Sequence, residues 1–96
     1  MNVEWVIREA VVSSEVQERI SKKLSKILER SHKETSVRIQ VGNVKNAFST
    51  TISMSVTGKD LVAHVENESM LSALDEAVDR VERQFKKHID KLSQHR

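Results

Sequence analysis

The sequence predicts an α+β two-layer sandwich in the order β-α-β-β-β-α, a four-stranded mixed sheet with two helices packed on one face. Three observations predict it. Residues 48–56 alternate cleanly between apolar and hydroxyl side chains, as a strand with one covered face does. Two other stretches repeat apolar residues every three or four positions, the signature of amphipathic helices. At 96 residues the chain can hold one thin core and no more, so 1–96 is expected to be a single domain. Surface scaling gives a compact chain of this size roughly 5,600 Å² exposed, against roughly 16,000 Å² when extended.

The opening reads as a strand, with Val3, Trp5 and Ile7 alternating with Glu4, Val6 and Arg8. Ser14 is the expected cap of the first helix, with Gln17 completing a capping box. Val16, Ile20, Leu24, Ile27 and Leu28 then form an apolar stripe, and the helix should fade over 31–34. Val37, Ile39 and Val41 mark the second strand. A loop rather than a tight hairpin is expected between Gly42 and Asn46.

In the third strand Phe48, Ile52, Met54 and Val56 share one face, with Ser49, Thr51, Ser53, Ser55 and Thr57 on the other. That outer face could contact RNA sugars or another sheet, but a solvated surface is the simpler reading. Gly58 suits the positive φ of a hairpin, and Leu61, Ala63 and Val65 return as the fourth strand. Ser69 is placed to cap the last helix. Its stripe is Leu71, Leu74, Val78, Val81, Phe85, Ile89 and Leu92. The crossover through a helix predicts that the first two strands are parallel and the rest antiparallel.

Several function classes drop out. Without cysteine there is no disulfide, thiolate nucleophile or cysteine-bound metal. Glycine occurs only at 42 and 58, which excludes the glycine-rich phosphate loops. Histidines 32, 64, 88 and 95 are scattered, and neither Ser53 nor Ser55 sits in a nucleophile elbow. Asp75, Glu76 and Asp79 are spaced for one helical face, yet a solvated helix surface explains them. No enzyme, cofactor, metal or small-molecule substrate is expected. The early charges argue against a signal peptide and no apolar run could span a membrane, so a soluble cytoplasmic protein is expected.

Charge layout carries the positive signal. The net charge is only +2, but the charges are segregated. Arg19, Lys22, Lys23, Lys26, Arg30 and Lys33 form one basic block, with Glu29 as its single acid. Arg83, Lys86, Lys87, Lys91 and Arg96 form another, interrupted only by Asp90. Between them, 60–82 holds seven acids and one base. Acids early and bases late in the last helix also suit its dipole. If both helices cover one sheet face, their outer surfaces meet. Arg19, Lys22, Lys23, Lys26 and Arg30 then join Arg83, Lys86, Lys87 and Lys91 in a surface suited to a polyphosphate. Trp5, Phe48 and Phe85 all fall in apolar registers, so base stacking is not expected.

The last helix resembles a known family. Glu68-Ser69-Met70-Leu71-Ser72-Ala73-Leu74-Asp75 and Arg80-Val81-Glu82-Arg83-Gln84-Phe85-Lys86-Lys87-His88 look like the short ribosome hibernation promoting factors, also called sigma factor modulation proteins. Lys23-Leu24-Ser25-Lys26 resembles the paired lysines of their first helix. The resemblance covers nearly the whole chain. Departures occur at Arg8-Glu9-Ala10, Asn67, Leu71 and Ile89, where the family often has other residues.

The resemblance implies a partner, the small ribosomal subunit, with rRNA of the decoding region as the bound surface. It adds His88 to the contact residues. It also implies inhibition of translation by occupancy in stationary phase or stress, by a protein that is a monomer off the ribosome. Two alternatives remain open: a generic double-stranded-RNA-binding domain, and a protein-interaction or regulatory module.

Overall fold

The computed structural model describes residues 1–29, 35–56 and 58–94. Arg30, Thr57, the stretch 31–34 with Lys33, and His95 and Arg96 fall outside the described residues, as do the side chains of 92–94. The elements run β1 (Asn2–Ile7), α1 (Ser14–Leu28), β2 (Ser36–Val44), β3 (Ala47–Val56), β4 (Lys59–Asn67) and α2 (Met70–Gln94). The strands lie in the order β1-β2-β3-β4. The first pair is parallel and the other two pairs are antiparallel, as expected.

One sheet face is covered. Val37, Ile39, Val41, Ile52, Met54, Leu61, Ala63 and Val65 form one cluster with Ile20, Leu24, Ile27 and Leu28 of α1. Ala73, Leu74, Ala77, Val78, Val81 and Phe85 of α2 complete it. Both helices therefore sit on the same side of the sheet, which is the geometry a shared helical surface needs. Trp5 and Phe48 are half-buried and Phe85 is fully buried, so none of the three is offered to solvent as a stacking platform.

Three local expectations are corrected. Ser13, not Ser14, caps α1; its hydroxyl accepts from Val16 N at 3.2 Å. Gln17 folds back and donates to the Val12 carbonyl at 3.0 Å instead of closing a capping box. The β2–β3 connection is a tight turn and not a loop, because Val44 pairs with Ala47 and leaves only Lys45-Asn46 between them. Lys45 carries the positive φ of 56° that such a turn demands, without a glycine. The third correction is Leu71, expected in the covered stripe of α2 but 44% exposed. Thr50, outside the alternation read from the sequence, lies fully buried on the covered face of β3. Gly58 meets its expectation, with φ 78°.

Beyond β1 the chain reverses through Glu9, which also has a positive φ, 53°. The Asn43 side-chain amide donates to the Glu9 carbonyl and fastens this turn to β2. On the outer sheet face Arg38 donates to Glu4 at 2.6 Å, and Thr51, His64 and Glu66 form a hydrogen-bonded row.

The fourth strand lies at the sheet edge, and α2 closes it. Arg80 and Gln84 donate to the His64 and Val62 carbonyls at 3.4 and 2.8 Å. Such cover removes acceptors that a foreign strand would use. These contacts also fix how the helix runs. From Val62 back to Lys59 is about 10 Å of strand, which a helix covers in about seven residues. Past about residue 90, α2 has therefore outrun the sheet. The accessible surface is 6444 Å², above the scaling value, and the molecule measures 47 × 22 × 17 Å.

Candidate nucleic-acid interface

Ser69 anchors the helix that carries half of the candidate surface. Its hydroxyl accepts from Ser72 N at 3.2 Å, while Asn67 accepts from Ser69 N at 2.8 Å. The apolar stripe then turns Val78, Val81 and Phe85 inward and leaves Arg83, Lys86 and Lys87 exposed. The same logic on α1 buries Ile20, Leu24 and Ile27 and exposes Arg19, Lys22, Lys23 and Lys26. Lys91 is exposed at the far end of α2, and His88 is half-buried.

The helices run side by side in the same direction. Arg19 and Lys23 reach Asp75 near the start of α2, and further along Lys26 and Ile27 stand beside Val78, Phe85 and Lys86. Between them is an open groove of about 390 Å³ with a floor of Ile27, Val78 and Phe85. Lys23, Lys26 and Lys86 line it, as the charge layout anticipated. Asp75, Asp79 and Glu82 line it too.

Those three acids were not recognised in the sequence as groove residues. Asp75 binds Arg19 at 3.4 Å and Lys23 at 3.2 Å across the two helices. Asp79 binds Arg83 at 2.7 Å and Glu82 binds Lys86 at 3.5 Å along α2. The signal was present in the spacing, since 75, 79, 82 and 86 fall in one row on a helix of 3.6 residues per turn. What the spacing withholds is the neighbour that the row faces.

The sequence-predicted residues thus divide into two sets. Arg19, Lys23, Arg83 and Lys86 hold carboxylates, whereas Lys22, Lys26, Lys87 and Lys91 make no ion pair among the described residues. Arg30 falls outside that description. The broad positive surface is therefore two lysine-bearing outer flanks and a groove of mixed charge. Among the described residues, no three His, Cys, Asp or Glu side chains converge to hold a metal ion. No described helix is long and apolar enough to cross a membrane.

Comparison with known proteins matches residues 3–93 to the family described as Sigma 54 modulation protein / S30EA ribosomal protein. The ribosome hibernation promoting factor of Pseudomonas putida is 28% identical over 80 residues, covering 83% of this chain and 78% of its own. That of Escherichia coli is 26% identical over 84 residues, covering 88% of both chains. Among solved structures, the N-terminal domain of Protein Y from Thermus thermophilus superposes with a TM-score of 0.82 at 21% identity. It covers 92% of this chain and 99% of that one. A ribosomal subunit interface protein from Coxiella burnetii gives 0.82 at 19% identity, covering 94% and 99%. At those identities the two structures establish the shared fold.

Proposed function

Because the chain belongs to the Sigma 54 modulation protein / S30EA ribosomal protein family, we propose that it is a ribosome hibernation factor. On this reading it binds the small ribosomal subunit at the rRNA of the decoding region and blocks translation by occupying that site in stationary phase or stress. It acts in the cytoplasm and is a monomer until it docks. The family links the chain to ribosome-associated proteins that do no catalysis, so no residue is given a catalytic role.

One observation carries the reading. Two helices packed side by side on one sheet face hold Lys22, Lys26, Lys87 and Lys91 free of carboxylates among the described residues. An unpaired lysine can exchange its counterion for a phosphate without first breaking an ion pair. With no exposed aromatic ring, binding rests on phosphate contacts and shape rather than stacking. Arg19, Lys23, Arg83, Lys86 and His88 border the same surface and engage only if their present partners release them. For Arg30 the proposal rests on its place in the first basic block.

The generic duplex-RNA alternative fares worse on geometry. The first turns of α2 carry Asp75, Glu76 and Asp79, which repel a phosphate backbone laid along the helix start. A protein-interaction module would bind with little dependence on salt, because it releases few counterions.

Co-sedimentation with purified small subunits, at low and raised salt, tests the reading. Binding at low salt that falls steeply as salt rises is expected. A protein that stays at the top of the gradient at low salt would sink the proposal. In cell-free translation, inhibition should follow the bound fraction and saturate near one protein per ribosome. Full inhibition far below that ratio would mean turnover, and hence an enzyme.

A further inference from the structure

We propose that Asp75 is a specificity-determining residue that keeps the helical surface from binding polyphosphates indiscriminately. This rests on the reading above in one respect only, that the partner is an RNA. The motivating geometry is a carboxylate shared by two cations. Asp75 holds both Arg19 and Lys23, at 3.4 and 3.2 Å, and joins the start of α2 to the outer face of α1. Its side chain is 41% exposed and those of Arg19 and Lys23 are 49% and 47% exposed. All three can therefore reach a ligand.

A carboxylate in this position occupies the place of a phosphate. A flexible RNA strand approaching Arg19 and Lys23 must displace it, and is then held beside the freed negative charge. Half-exposed pairs of this kind are individually weak. They cannot forbid binding. They can bias which phosphates gain anything from these two residues.

The bias differs between ligands. A flexible strand adds contacts one phosphate at a time and takes up whatever cations stand free, so masking two of them lowers its affinity directly. A folded RNA surface presents its phosphates at fixed positions and is selected by fit to the unmasked lysines Lys22, Lys26, Lys87 and Lys91. Asp79 on Arg83 and Glu82 on Lys86 continue the masking down the groove. Those two acids each hold one base on their own helix. Asp75 alone of the three bridges the helices and masks two.

Fluorescence anisotropy with a labelled single-stranded RNA of mixed sequence, over a range of salt, tests this directly. Asp75→Asn should bind that RNA about three- to tenfold tighter than the wild type, the range that two weak pairs allow. The slope of log affinity against log salt should steepen by about 0.7 for each cation that gains a phosphate, so about 1.4 in all. Asp75→Glu keeps the charge and should behave as the wild type. The triple variant Asp75→Asn, Arg19→Gln, Lys23→Gln should lose the gain, because the gain is routed through those two side chains. Binding to small subunits is measured beside it, and the ratio of subunit to free-RNA affinity should fall in Asp75→Asn.

Thermal melts at assay conditions identify the folded fraction, so that each affinity refers to folded protein. An unchanged free-RNA affinity and salt slope in folded Asp75→Asn would overturn the proposal. So would a gain that survives in the triple variant, or one that appears equally in Asp75→Glu. Failure of the wild type to bind subunits would instead remove the ribosome reading, while the free-RNA comparison would still decide the role of Asp75.

Discussion

The first and second halves of α2 both carry basic side chains and put them to different uses. From Met70 to about Phe85 the helix lies on the sheet, buries Ala73, Leu74, Ala77, Val78, Val81 and Phe85, and ties its polar side chains to neighbours. Arg80 and Gln84 close the edge of β4, while Asp75, Asp79 and Glu82 hold cations. Beyond Phe85 the contacts thin out. His88 and Ile89 are half-buried, with Ile89 at the margin of the core, and Asp90 and Lys91 are exposed where the helix outruns the sheet. The contrast teaches that charge alone does not mark a binding residue. Arg83 and Lys87 stand one turn apart on the same helix, but only Lys87 is unpaired among the described residues. Stability should reside in the first half of the helix and binding in the second.

Phe85→Ala tests that division at its largest expected effect. The ring is fully buried in the cluster that joins the helices to the sheet, so its removal should cost about 3 to 5 kcal/mol. Chemical denaturation should show a lowered midpoint with little change in slope. A cost below about 1 kcal/mol would mean that the first half is not the stabilising half.

Next comes the opposite signature. Lys87→Glu with Lys91→Glu should weaken subunit binding at least about tenfold, a loss of about 1.4 kcal/mol. Stability should stay within about 0.5 kcal/mol of the wild type, because both side chains are exposed and unpaired among the described residues. Gradient co-sedimentation set beside melting curves reads both quantities. Equal losses in binding and melting temperature would erase the contrast between the halves.

The sheet under the first half contains one defect. Thr50 is fully buried and its hydroxyl has no hydrogen-bond partner among the described residues. A buried polar group left unsatisfied costs about 1 to 3 kcal/mol. Thr50→Val keeps the β-branched shape and should stabilise the domain by about 1 kcal/mol, read as a higher denaturation midpoint. Destabilisation instead would show that the hydroxyl is satisfied by water.

How much of this was legible in the sequence follows from what each signal encodes. Alternation from Phe48 to Val56 and the stripe from Leu74 to Phe85 report which side of an element is covered, and both were read correctly. Thr50 was passed over because a hydroxyl at a covered position breaks the pattern that identifies the position. The Lys45-Asn46 turn was missed because its positive φ falls on a lysine, where composition points away from a tight hairpin. Ser13 and Ser14 offer the same hydroxyl in adjacent positions, and only the folded backbone selects Ser13.

The basic side chains of the candidate surface were also visible. Their pairing was not, because the partners of Arg19 and Lys23 lie 56 and 52 residues away. Spacing along one helix carries no information about the helix beside it.

The smallest predicted effect compares the two ends of α2 directly. At the sheet-bound end, Ser69 accepts from Ser72 N and satisfies one of the orphan donors of the first turn. That end is fixed to the core by Ala73 and Leu74, both fully buried, so it cannot fray to recover the lost bond. Ser69→Ala should therefore cost the whole domain about 1 kcal/mol. At the far end Lys91 is exposed in the last turn, makes no ion pair among the described residues, and interacts with the helix dipole. Lys91→Ala should cost about 0.3 kcal/mol, and screening by salt should abolish even that. Equilibrium unfolding of both variants at low and high salt makes the comparison. A cap that costs no more than the lysine would mean that the start of α2 frays as freely as its end, and that the two halves differ in contacts but not in stability.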